Sequence, residues 1–270
     1  MDLQAEYDNG AKVPSYPAYA ERWMQEAAAF RENHPHAELG IAYGPTERQA
    51  LDLFWPGVAG DGPVAVFIHG GYWQRMHRSA FSHLAQGLLA HGVAVAMPSY
   101  DLCPHVTLAA LVEQVRDSVA FLHRRLGGRF LAAGHSAGGH LTGMLMATDW
   151  AARGAPRDLV PAGLSISGLF DLEPLTHTTV NAALGLDAAE ARRLSPLLLP
   201  PPGGRIHAYV GAEEGLEYTR QSRAIAQAWG GSWDSLPGQH HFSIVEELQD
   251  PDSAMVAKAV ELIVRSVPSG

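Results

Sequence analysis

The chain has 270 residues, 47% of them hydrophobic and 17% charged, with a net charge of -9. That apolar content over that length supports a sizeable core, and an acidic balance with no Lys/Arg cluster argues against a nucleic-acid partner, which needs a basic face to meet phosphates. Cys103 is the sole cysteine; it excludes an internal disulfide framework and fits a reducing compartment.

The opening, Met1-Asp2-Leu3-Gln4-Ala5-Glu6, is acidic where a secretory leader is basic and then apolar. No uncharged apolar run reaches about eighteen residues, so a cytoplasmic protein without a membrane span is expected. Tyr19, Trp23, Ala27 and Phe30 recur at helical spacing before His34-Pro35-His36, which predicts one amphipathic helix within residues 1–37. Leu39 to Tyr43 and Ala50 to Pro56, separated by Gly44-Pro45, read as an edge hairpin. Asp61-Gly62-Pro63 then turns the chain into Val64 to Ile68, a continuous apolar run suited to a strand covered on both faces, which stops at His69-Gly70-Gly71-Tyr72-Trp73. A helix over Phe81 to Ala90, a strand over Val93 to Pro98 and a helix over Leu108 to Leu126, capped by Thr107, follow. Next come apolar runs at Phe130 to Ala133 and Pro161 to Gly168, an irregular section from Phe170 to about Pro202, and a strand at Ile206 to Gly211. A helix over Glu217 to Trp229, a strand near Ser232 to Leu236 and a helix from Ser253 to Val267 complete the chain. This alternation implies α/β class, a mostly parallel central sheet with helices on both faces. The expected organisation is a single domain over residues 1–270, with a helical extension at 1–37 and a cap insertion at 170–202, over the carboxyl ends of the strands where ligands bind.

The run Phe130 to Ala133 ends at Gly134-His135-Ser136-Ala137-Gly138, with a periodic apolar stretch after it. Strand, Gly-x-Ser-x-Gly and helix together form the nucleophile turn of the α/β-hydrolase fold, where small residues let the backbone bend and hold Ser136 Oγ clear of the sheet. A serine hydroxyl needs a base to take its proton and an acid to orient that base, and in this fold acid and histidine follow the serine in that order. Glu213 and Glu214 stand past one late strand, and His240 and His241 past the next, two candidates for each role. Backbone N–H groups must meet the oxyanion of a tetrahedral intermediate; Ala137, after the nucleophile, and Gly70 and Gly71, in the early HGG loop, occupy the expected places. His69 reads as a brace for that loop. Tyr72, Trp73 and Phe242 are candidates for an aromatic substrate wall. None of the fourteen histidines has ligand spacing with an accompanying carboxylate, so neither a metal nor another cofactor is expected.

Four stretches resemble the arylformamidases, or kynurenine formamidases: His69-Gly70-Gly71-Tyr72-Trp73, Gly134 to His140, Ser167-Gly168-Leu169-Phe170-Asp171-Leu172-Glu173-Pro174, and Glu217-Tyr218-Thr219-Arg220-Gln221-Ser222 before His241-Phe242. The resemblance spans roughly residues 64 to 248. It implies Ser136 as nucleophile, His241 as base and Glu214 as acid. The family shows Asp-Ser-Pro-Glu-Phe where this chain has Glu214-Gly215-Leu216-Glu217-Tyr218, so alignment on the second acid selects Glu214 over Glu213; the His-Phe-x-Ile-Val-Glu pattern likewise selects His241. The implied activity is cleavage of an N-formyl arylamine, such as N-formylkynurenine, to formate and the free amine. A broad short-acyl carboxylesterase using the same residues is the alternative, because the two differ only in the pocket. The expected partner is a small acyl substrate, with no nucleic acid and no membrane; a homodimer is compatible with the sequence.

Overall fold

The computed structural model describes residues 2–60 and 62–266. Met1, Asp61 of the expected turn and Val267 at the expected end of the last helix lie outside them. The amino-terminal region holds three helices where the spacing predicts one: α1 (Leu3–Tyr7), α2 (Asn9–Lys12) and α3 (Tyr16–Asn33). An aspartate stands at the first break, and Val13-Pro14-Ser15 form the second. Asp2 accepts a hydrogen bond from Ala5 N–H to start α1, and Asp8, which follows its last residue, accepts from Ala11 N–H to start α2.

Eight strands and seven further helices follow: β1 (Ala37–Ala42), β2 (Ala50–Phe54), β3 (Val64–Ile68), α4 (Gln86–Ala90), β4 (Ala94–Pro98), α5 (Leu108–Leu126), β5 (Phe130–His135), α6 (Ala137–Met146), β6 (Ala162–Ile166), α7 (Asn181–Leu184), α8 (Ala188–Arg193), β7 (Arg205–Gly211), α9 (Leu216–Ala228), β8 (Ser232–Leu236) and α10 (Ala254–Ser266). They form one sheet in the order β1-β2-β4-β3-β5-β6-β7-β8. β1 and β2 pair antiparallel, as does β2 with β4, and every later pair is parallel. The sheet is therefore the mostly parallel one expected, and the fold is that of the α/β-hydrolases. Thr107 caps α5 as expected, its Oγ1 accepting from Ala110 N–H. The helix expected over Phe81 to Ala90 is instead one short 3-10 turn, Ser82–Ala85, followed by the short α4.

A strand's two-residue period explains why β3 is apolar throughout. Val64, Val66 and Ile68 pack into the core under α5, α6 and α9, whereas Ala65 and Phe67 pack into the opposite core under α3 and α10. Residues 170–202 contain α7, α8 and short 3-10 turns, with Thr179 and Val180 turned toward a cavity at the carboxyl ends of the strands. No helix among the described residues is long and apolar enough to cross a membrane.

Three histidines sit in these cores or at their edges with almost no exposure. Burial pushes His69 down to about 3, and His83 and His140 to about 4. A folded-state value below the unfolded one near 6.5 means that the unfolded chain binds protons first, so stability is full above about pH 6.5 and is lost as pH falls toward 4. Thermal unfolding should show Tm declining through that window; a flat Tm between pH 7 and 4.5 would contradict the burial of these rings as neutral imidazoles.

Candidate active site

β5 delivers Ser136 into a sharp turn whose N–H still bonds across the sheet to Ile166 O, 2.8 Å away. The serine itself is left-handed, with φ 57° and ψ -116°, and α6 begins at the next residue. The turn fits only because Gly138 lacks a side chain: a Cβ there would stand 1.9 Å from Ile68 O. Ser136 is thus held rigidly between two buried elements.

His241 meets it from the loop after β8. Its Nε2 lies 3.0 Å from Ser136 Oγ and its Nδ1 lies 2.6 Å from Glu214 Oε2. With Nδ1–H donating to the carboxylate, Nε2 is left as the acceptor for the serine proton. The Glu214 side chain is wholly shielded from solvent. Its other oxygen, Oε1, accepts from Gly211 N–H at 2.7 Å and from the Ser167 hydroxyl. Glu213 N–H donates to Gln239 O, which ties the acid loop to the histidine loop. Neither alternative residue reaches the row: Glu213 is exposed, and His240 Nδ1 accepts from the N–H groups of Phe242 and Ser243.

His135 supports the histidine loop in a way the sequence did not reveal. Its Nε2–H donates to His241 O at 2.8 Å, and its ring lies 4.8 Å from that of His241. Burial, reinforced by the neighbouring imidazole, holds His135 well below the usual histidine range, so it remains neutral beside the base.

Gly70, Gly71 and Ala137 belong to the two loops that flank Ser136, and their N–H groups have no hydrogen-bond acceptor among the described residues. The approach is close: a Cβ on Gly70 would lie 3.2 Å from Ser136 Cβ. His69 braces the loop, its Nδ1–H donating to Gly70 O at 2.8 Å while Tyr100 OH donates to His69 O. Beyond Gly71 the backbone is left-handed at both Tyr72 and Trp73, with φ 50° and 57°. That geometry separates two residues expected to act together. Tyr72 lines the cavity, as does Phe242, which stacks on Tyr16 with ring centroids 4.2 Å apart. Trp73 is fully buried against the edge of His140 and does not line the cavity. The expectation for Trp73 is corrected accordingly: it packs the core beneath the loop.

The cavity encloses about 210 Å³. One wall comes from α1 and α2, whose buried polar groups form a directed chain. Tyr72 OH donates to Tyr7 O at 2.7 Å, so Tyr218 OH donates to Tyr72 OH, and Asn9 Nδ2 donates to Tyr218 OH, each at 2.7 Å. Tyr218 also places its ring 4.8 Å from His241. Below this chain, Tyr7 OH donates to Glu217 Oε2 and accepts from Gln221 Nε2, while Arg220 pairs with both Glu217 and Asp171. The stretches Ser167 to Pro174 and Glu217 to Ser222 therefore meet behind the acid. Their residue patterns were visible in the sequence, but nothing local marked Tyr7 and Asn9.

The BD-FAE family model matches residues 51–154. Among solved structures, a thioesterase candidate from Silicibacter sp. TM1040 is 34% identical, with a TM-score of 0.89, and the match covers 98% of this chain and 99% of that one. A thermostable carboxylesterase cloned from a metagenomic library shares the fold at a TM-score of 0.70 and 17% identity, over 93% of this chain and 96% of that one. The kynurenine formamidase of Salmo salar is 30% identical over 244 residues, which cover 84% of this chain and 82% of the relative, and that of Danio rerio is 30% identical over 243 residues with the same coverage. With a nucleophile turn, an acid and a histidine in one hydrogen-bonded row, and relatives of this identity along most of its length, the chain belongs to the kynurenine formamidase family.

Proposed function

We propose that the protein is a serine hydrolase that cleaves the formamide of an N-formyl arylamine such as N-formylkynurenine. The observation that carries this reading is the row Glu214–His241–Ser136 facing unoccupied N–H donors inside an aromatic-walled cavity. Ser136 Oγ attacks the formyl carbon as its proton passes to His241 Nε2, and Glu214 stabilises the imidazolium. The N–H groups of Gly70, Gly71 and Ala137 hold the oxyanion. His241 then protonates the departing nitrogen, the C–N bond breaks, and the amine leaves a formyl ester on Ser136. Water, deprotonated by His241, attacks that ester and releases formate. Tyr72 and Phe242 face the aryl group. The substrate is a small molecule, and the net charge of -9 gives no support to a nucleic-acid partner. The unpaired, buried Cys103 supports a cytoplasmic setting.

The same groups would cleave a short-acyl ester or thioester, a reading favoured by the description of the Silicibacter protein as a thioesterase candidate. The deciding measurement is kcat/KM for N-formylkynurenine beside p-nitrophenyl acetate. Formamide turnover well above ester turnover is expected; ester turnover alone would retain the machinery and reject the substrate.

A further inference from the structure

Among the described residues that line the cavity, one is an arginine and one an aspartate, a cation and an anion of opposite sign: Arg75 and Asp8. Both are exposed at the cavity mouth. Arg75 lies four residues beyond Gly71 and its N–H bonds to Gly71 O, so it is carried on the loop that faces Ser136. No described carboxylate lies within ion-pair distance of its guanidinium. Asp8 uses Oδ1 to cap α2, which leaves Oδ2 uncommitted.

Between the charges and the buried interior stands Asn9. The proton order in the tyrosine chain fixes its amide: Tyr72 spends its hydrogen on Tyr7 O and Tyr218 spends its hydrogen on Tyr72, so Asn9 must present Nδ2 to Tyr218. Asn9 Oδ1 is then an acceptor with no partner among the described residues, on a residue that lines the cavity. The mouth thus offers a bidentate cation, an anion and a directed neutral acceptor, which match a carboxylate on one side and an ammonium on the other.

We infer that Arg75, Asp8 and Asn9 form a subsite for an α-amino-acid group, with the substrate carboxylate on Arg75 and its ammonium on Asp8 and Asn9 Oδ1. This inference rests on the formamidase reading and sharpens it: the preferred substrates are aryl formamides that carry a zwitterionic tail. The subsite lies at the start of α2 and on the loop after β3, so it selects the leaving group and leaves the acyl chemistry untouched. Asp8 and Asn9 also fall outside residues 51–154, the part matched by the BD-FAE model.

The test compares two substrates that share the same aryl ketone and formamide, N-formylkynurenine and 2-formamidoacetophenone, the second lacking the amino-acid tail. Wild type, Arg75→Gln and Asp8→Asn are assayed with both. Both positions are exposed, and asparagine retains the cap on α2, so the variants keep the fold. Each variant is expected to lose about tenfold in kcat/KM for N-formylkynurenine, mainly through KM, in line with one hydrogen bond to a charged group at a wet site. Turnover of 2-formamidoacetophenone should stay within about twofold, serving as the control for folding. Equal losses on both substrates, or none on either, would overturn the subsite while leaving the formamidase reading intact. If wild type hydrolyses neither formamide but does hydrolyse p-nitrophenyl acetate, the formamidase reading falls and the subsite falls with it.

Discussion

Ser136→Ala is expected to lower kcat/KM about 10⁴- to 10⁶-fold for formamide and ester alike, with Tm nearly unchanged. The loss is large because no neighbouring group can replace the nucleophile: the nearest hydroxyl in the row, that of Ser167, is committed to Glu214 on the far side of the base. Stability is spared because alanine keeps the Cβ, so the left-handed backbone at φ 57° is no more strained than with serine. The hydroxyl's single side-chain bond, to His241, is replaced by cavity water. A fluorophosphonate probe should label wild type and fail to label the variant. Labelling that survives the substitution would place the nucleophile elsewhere.

Glu214→Gln should cost about 10³- to 10⁴-fold, and the structure states why an amide cannot substitute. Oε1 receives two donors, Gly211 N–H and Ser167 O–H, so the amide oxygen must occupy that position. The amide nitrogen then faces His241 Nδ1 and donates to it, forcing the proton of the neutral ring onto Nε2. A protonated Nε2 cannot accept from Ser136. Circular dichroism should remain native and fluorophosphonate labelling should slow in parallel with turnover. Activity within tenfold of wild type would show that Glu214 does not set the tautomer.

The parts of this arrangement that were legible in the sequence are those built from neighbours along the chain. A strand, a serine between glycines and a helix obey local rules, so Ser136 and the Gly70-Gly71 loop could be placed by spacing alone, as could the Thr107 cap of α5. Choosing Glu214 over Glu213 and His241 over His240 required the family pattern, since both members of each pair satisfy the order of the fold. The structure brings the selected pair together because the turn Gly211 to Glu214 folds that carboxylate back under β7. Trp73 was misjudged for a backbone reason: two consecutive left-handed residues send Tyr72 toward Tyr7 and Trp73 into the core, which no side-chain pattern discloses. The helix expected from Phe81 is α-helical only from Gln86; ahead of it Ser82–Ala85 form a 3-10 turn, where Arg31 of α3 bonds Ser79 O and Ser82 Oγ, a tertiary contact that no local pattern discloses. Asn9 and Tyr7 were invisible because their meaning depends on partners more than 200 residues away.

That separation also orders events during synthesis. Tyr7 leaves the ribosome 210 residues before Glu217, and His241 follows later still. A nascent chain lacking α9 and everything after it can pair β3 with β4 and β5, yet it has neither a base for Ser136 nor an anchor for α1. Hydrolytic competence therefore arrives late and all at once, after the sheet's centre can already have formed. In a refolding experiment, turnover would report the final docking of the amino-terminal helices, whereas far-ultraviolet ellipticity would report the earlier growth of the sheet and its crossovers.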